Sequence, residues 1–141
     1  MSDANTDDPP RRGHILIVED DLIIADLIDQ ILRFENFTVS HVVDGQSAVD
    51  FVLVEGNRPD LILMDLMLPV MGGIDVSRAI KTSDQEQIAA IPIVAMSAGV
   101  NLRAAAGELP VDGVLAKPFD IDELLATVGI HLRRAESETA A

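Results

Sequence analysis

Cysteine is absent from the 141 residues, which excludes a disulfide framework, a thiolate zinc site and a cysteine nucleophile, and fits a reducing compartment. The simplest location is cytoplasmic. Basic residues are scarce: 10 Lys and Arg stand against 24 Asp and Glu, for a formal net charge of -14. So acidic a chain lacks the basic stripe that neutralises nucleic-acid phosphates or holds an anionic membrane surface, so the expectation is no nucleic acid and no membrane. Long apolar runs are missing too. No stretch approaches a membrane span of about 20 residues, and the run after Arg11-Arg12 is broken by Glu19, Asp20 and Asp21 before it could act as an export signal. No internal repeat points to a solenoid.

What is present is a hydrophobic content of 48%, enough for one continuous core in a chain of single-domain length. Residues 1–12 are polar and acidic, with Pro9-Pro10 and no periodicity, and read as a disordered tail. Residues 135–141 read the same way, which leaves 13–134 as the domain.

Within it two periods alternate. His14 to Val18 is a β-branched and leucine block suited to a strand buried on both faces. From Asp21, the residues Ile24, Leu27, Ile28, Ile31 and Leu32 fall at helical spacing, and Asn36 is a left-handed stop. Thr38 to Val43 is a second strand, and Asp44-Gly45 opens a helix carrying Ala48, Phe51 and Val52 toward Gly56. Leu61 to Met64 is an uninterrupted apolar strand that ends in Asp65, followed by a Gly72-Gly73 loop and a helix over Ile74 to Ser83. Ile91 to Ala95 gives a fourth strand terminating at Met96-Ser97, a short helix follows around Leu102 to Ala106, and Gly113 to Ala116 is the fifth strand. The last helix starts at Asp120, where Asp-x-x-Glu forms a capping box, and turns Ile121, Leu124, Leu125 and Val128 inward.

Five strands alternating with five helices imply a doubly wound α/β fold, a parallel sheet covered on both faces. Ligands of such sheets bind outside the carboxyl ends of the strands. There the chain places Glu19-Asp20-Asp21, Asp65, Ser97 and, just after the fifth strand, Lys117-Pro118. Clustered carboxylates require a positive charge between them, and an all-oxygen site open to water suits magnesium. With a hydroxyl and an ammonium beside it, this set supplies what phosphoryl transfer needs: a carboxylate nucleophile, a cation and donors to the phosphoryl oxygens.

The runs Ile-Leu-Ile-Val-Glu-Asp-Asp, Leu-Ile-Leu-Met-Asp-Leu-Met-Leu-Pro, Ile-Val-Ala-Met-Ser-Ala and Leu-Ala-Lys-Pro-Phe together resemble the receiver domains of two-component response regulators, over about His14 to Arg133. The resemblance implies a flavodoxin-like sheet of order 2-1-3-4-5. It implies that Asp65 is the phosphoacceptor, serving a sensor histidine kinase or histidine phosphotransfer protein, and that the chain is not an enzyme in its own right. Asp20 corresponds to a direct Mg2+ ligand, Glu19 to one acting mainly through water, and Met67 to a backbone-carbonyl ligand beside Asp65. Ser97 and Lys117 would hold the phosphoryl group with the backbone of Leu66, Met67 and Ala98, and the Lys117-Pro118 peptide is expected to be cis.

Several residues read otherwise. Asp21 is a helix cap. His14, His41 and His131 share no metal-ligand spacing and read as surface or strand-edge groups away from the site, and the Met residues read as core packing. A haloacid dehalogenase-type phosphatase would need a second acid two residues after its nucleophile, where Met67 stands. A scaffold that binds partners without phosphorylation is the other alternative. Departures from the family pattern include Val114, three residues before Lys117, where an aromatic often acts as a switch; the signal would then leave through the loops around Ser97 and the short helix after them. Ser97 to Lys117 is also compact, with Leu109-Pro110 where the family often has Gly or Ala before its fifth strand. Met67 and Gly99 offer no side chain to position a hydrolytic water, which implies slow or moderate self-hydrolysis. No output domain follows the last helix, so the expectation is a stand-alone receiver, a monomer or weak dimer with an unknown downstream target, working by docking, relay or as a phosphate sink. Asp26, Asp29 and Gln30 on the first helix are candidate specificity positions by family analogy, with an ordinary solvated helix face as the favoured reading of each.

Overall fold

The computed structural model describes residues 12–54, 56–98 and 110–140, excepting the side chains of 133–140. In chain order the described elements are β1 (His14–Val18), α1 (Leu22–Phe34), β2 (Thr38–Val42), α2 (Gly45–Leu53), β3 (Leu61–Asp65), α3 (Gly73–Lys81), α4 (Glu86–Ala89), β4 (Ile93–Ser97), β5 (Gly113–Ala116) and α5 (Ile121–Ala140), with two helices between β3 and β4. The strands form one sheet in the order β2-β1-β3-β4-β5, with all four pairings parallel. This is the expected order.

Side chains alternate across the sheet, so the central strands are apolar on both faces over Ile15–Val18, Leu61–Met64 and Ile93–Met96. Ile15 and Ile17 of β1 pack with Leu61 and Leu63 of β3 against α1 and α5. Leu16 and Val18 pack with Ile62 and Met64 against α2, α3 and α4. Each fully buried Leu or Ile contributes about 1.5–3 kcal/mol relative to exposure, and this two-sided core fixes the ends of β1, β3 and β4 beside one another.

The caps follow the sequence. Asp21 Oδ1 accepts the N–H groups of Ile23 and Ile24 at 3.0 and 3.2 Å, Asp44 Oδ1 accepts that of Ser47 at 2.7 Å, and Asn36 ends α1 with φ +71°. The Asp120–Glu123 capping box closes in both directions, at 2.8 and 3.2 Å.

Other boundaries move. β4 starts at Ile93, two residues later than expected, because Pro92 has no N–H for the ladder; its carbonyl still accepts from Ile62 at 2.9 Å. β2 stops at Val42, α2 stops at Leu53, and α3 stops at Lys81. The four-residue α4 was not foreseen, being too short to show a period. The backbone of α5 runs on as helix to Ala140, over the stretch expected to be a tail; that stretch holds no Gly or Pro to stop a helix. Ile121, expected inward, is 54% exposed at the solvent end of α5, and Leu27 of α1 is 57% exposed. The expected Leu102–Ala106 helix, with Gly99 and Leu109, lies outside the described residues, as does most of the N-terminal tail.

Candidate phosphoacceptor and cation site

Three strand ends deliver the site. Asp65 is the last residue of β3 and is buried; its Oδ1 accepts the Met67 N–H at 2.9 Å. The loop beyond it is drawn tight by the Gly73 N–H bonding to Leu66 O at 3.1 Å. A Cβ on Gly73 would stand within 3 Å of the Leu66 Cα and the Asp65 carbonyl, so glycine is needed for this close approach.

Glu19 directly follows β1 and is only 1% exposed. Lys117, directly after β5, reaches back across the sheet end and places Nζ 2.7 Å from Glu19 Oε1 and 3.2 Å from Asp65 Oδ2. Its own N–H bonds to Ser97 O at 2.9 Å, and the Lys117-Pro118 peptide is cis, as expected. Burial pushes the Glu19 carboxyl above its usual range, although the Lys117 ammonium draws it back. For Lys117, burial works against the charge, but the bonds and charges of Glu19 and Asp65 outweigh it and hold the ammonium above the ordinary lysine value.

Asp20 is exposed beside this pair. Glu19, Asp20 and Asp65 each offer an oxygen, and these oxygens lie within 4.8 Å of one another. The donor set is all carboxylate and open to water on the Asp20 side, which fits a hard divalent cation that keeps several waters. The residues therefore suit Mg2+ and supply nothing that would favour a thiophilic metal. Ser97 is half-buried at the end of β4, beside Ala116 in register. Val114 is half-buried opposite Ala95 in β5.

Three features depart from the sequence reading. The Leu66 N–H is committed to Met96 O at 3.1 Å, continuing the β3–β4 ladder, so it is not an available phosphoryl donor in this structure. His41, read as remote, places Nε2 2.8 Å from the Glu19 carbonyl oxygen. His131, read as surface, is buried, with its ring nitrogens 2.8 and 3.1 Å from the carbonyls of Thr127 and Asp112. Contacts from rings to backbone carbonyls leave no trace in residue spacing. The candidate specificity residues are bound locally, Gln30 to Asp26 at 2.7 Å and Asp29 to Arg33 at 2.7 Å.

A family model, the response regulator receiver domain, matches residues 15–129. The chain belongs to that family. MtrA of Mycolicibacterium smegmatis, named a DNA-binding response regulator, is 39% identical over 92% of this chain and 54% of its own length. The chain spans about half the length of the curated relatives it matches. Among solved structures, the receiver domain of the sensor histidine kinase PA1611 of Pseudomonas aeruginosa, described with a magnesium ion in its active-site cleft, is 34% identical, with a TM-score of 0.76 over 85% of this chain and 97% of that one. The signal receiver domain of a Luxo repressor protein from Vibrio parahaemolyticus is 33% identical, with a TM-score of 0.78 over 92% and 96% of the two chains.

Membership corrects one expectation. The exclusion of nucleic acid was drawn from net charge, and the DNA-binding description of MtrA overturns it. Net charge belongs to the stretch being read, so an acidic receiver says nothing about basic surfaces elsewhere in a longer protein. No described helix is long and apolar enough to cross a membrane. Response regulator receiver domains are in general not enzymes, and the phosphatase alternative has no general acid at Met67, whose side chain is 79% exposed.

Proposed function

We propose that this receiver takes a phosphoryl group onto Asp65 from a phosphohistidine of a kinase or phosphotransfer protein. The observation that carries the reading is the convergence of the Asp65 carboxylate with the Lys117 ammonium at 3.2 Å and with the two acids Glu19 and Asp20. A carboxylate oxygen of Asp65 forms the new O–P bond as the N–P bond to the donor imidazole breaks; the bonding pair returns to that ring nitrogen, and the ring leaves neutral because its other nitrogen already carries a proton. Glu19, Asp20, Asp65 and the Met67 carbonyl are the groups proposed to hold Mg2+, which supplies charge stabilisation at the phosphoryl oxygens when bound. Lys117 and the Met67 amide exchange their Asp65 contacts for phosphoryl oxygens, and the Ser97 hydroxyl and the Ala98 amide donate to the remaining oxygens. With methionine at position 67, no side chain there holds a hydrolytic water, and the acyl phosphate is expected to last minutes or longer.

The test is transfer of radiolabel from a phosphorylated histidine kinase. Label on this chain that is labile in alkali and absent from Asp65→Asn supports the reading, and equal labelling of the variant refutes it. Label lost within seconds in Mg2+ would contradict the lifetime. For output, the DNA-binding description of MtrA favours control of a DNA-binding activity in a longer protein.

A further inference from the structure

Both backbone polar groups of Glu19 are tied to β2. Its N–H bonds to Val42 O at 3.1 Å, extending the parallel ladder by one step. Its carbonyl oxygen faces His41 Nε2 at 2.8 Å. A carbonyl only accepts, so the ring carries a proton on Nε2 and donates it there. These two bonds fix the peptide planes on either side of Glu19, and the second of those planes leads directly into Asp20. The turn is completed by the Asp21 N–H bonding to Glu19 Oε2 at 3.2 Å and by Asp21 capping α1.

Asp20 is the exposed member of the acid cluster. A short exposed side chain converges with two buried ones only if its backbone is held, and the described bond that holds the Glu19–Asp20 peptide oxygen comes from His41. The imidazole lines a groove between α1 and β2, of about 360 Å³, together with Leu22, Ala25, Asp26 and Arg33, and His41 as a whole is exposed.

We infer that His41 is a positioning residue for the cation site, acting through the Glu19 carbonyl to aim the Asp20 carboxylate; this rests on the reading of Glu19, Asp20 and Asp65 as the Mg2+ ligands. Hydrogen-bond partners that orient metal ligands typically govern affinity by about 10–100-fold. His41→Leu removes the donor at similar size, whereas His41→Gln keeps a nitrogen donor at nearly the Nε2 position.

The experiment is Mg2+ binding to the full, unphosphorylated chain, followed by the amide NMR shifts of residues 19–21, with thermal unfolding in chelator measured in parallel. The expected result is an affinity about tenfold weaker in His41→Leu, affinity near wild type in His41→Gln, and unfolding temperatures of both close to wild type. Wild-type Mg2+ affinity in His41→Leu overturns the inference, as does equal weakening in both variants accompanied by a fall in unfolding temperature, which would mark general loosening. Failure of the wild type itself to bind Mg2+, or binding untouched by Asp20→Asn, refutes the cation site and with it the role of His41.

Discussion

Lys117 and Glu19, 98 positions apart in the chain, meet as an ion pair of 2.7 Å in which the carboxylate is 1% exposed. The ammonium also reaches Asp65 at 3.2 Å, so a single cation offsets two acids that the fold has withdrawn from water. Removing it leaves Glu19 buried without a counter-charge. Lys117→Met is therefore expected to lower the unfolding free energy by about 2–3 kcal/mol in chelator, somewhat less than for a fully buried pair because Lys117 keeps some contact with solvent. The loss should shrink in saturating Mg2+, which restores positive charge to the cluster. Urea unfolding checks this; an unchanged midpoint in chelator contradicts it.

His14 gives a pH dependence remote from the acids. Its ring sits edge-on to Phe51, 6.0 Å between centroids, with Nε2 2.8 Å from Ser40 Oγ. Burial lowers its pKa below the ordinary 6.5, with the Asp60 charge opposing the shift. A depressed folded value means that the unfolded chain binds more protons between the two values. The His14 contribution is thus fully present above 6.5 and is lost as pH falls through the folded value. NMR titration of the ring should show a midpoint below that of a histidine in an unstructured peptide; a higher midpoint would contradict the burial argument.

Val70 sits in the left-handed region at φ +69°, in a tight turn closed by the Met71 N–H bonding to Pro69 O at 2.7 Å. A β-branched residue is strained there by about 1–3 kcal/mol, and its side chain is 86% exposed, so packing returns little. Val70→Gly should stabilise the protein by about 1 kcal/mol after glycine's extra backbone entropy is deducted. Scanning calorimetry should record a rise of a few degrees, and a fall would refute the strain.

Gly113 is required by His131. A Cβ at Gly113 would run into the imidazole ring that packs over the start of β5. Gly113→Ala should cost about 1–3 kcal/mol, and the same change in a His131→Ala background should cost much less. Additive losses in that double-mutant cycle would separate the two residues.

The legible parts of the molecule were those written in local patterns. Continuous apolar runs marked strands buried on both faces, acids at their carboxyl ends marked the crevice, and Asp21, Asp44 and the Asp120–Glu123 box marked helix starts. The resemblance to receiver domains carried by four motifs then implied the sheet order that periodicity alone leaves open. What escaped was contact between distant groups. His41 and His131 act on backbone carbonyls, which carry no residue identity, and the Leu66 amide is spent on a neighbouring strand. α4 holds too few residues for a period, and net charge is a poor guide to nucleic-acid binding across a family in which relatives about twice this length are described as DNA-binding.

The central claim is that Asp65 is a Mg2+-dependent phosphoacceptor, and the most direct measurement is the intact mass of the protein after incubation with acetyl phosphate and Mg2+. One added phosphoryl group in the wild type, absent from Asp65→Asn and absent in chelator, is the predicted result. An equal addition to Asp65→Asn, or no addition to the wild type from either acetyl phosphate or a phosphohistidine donor, would contradict it.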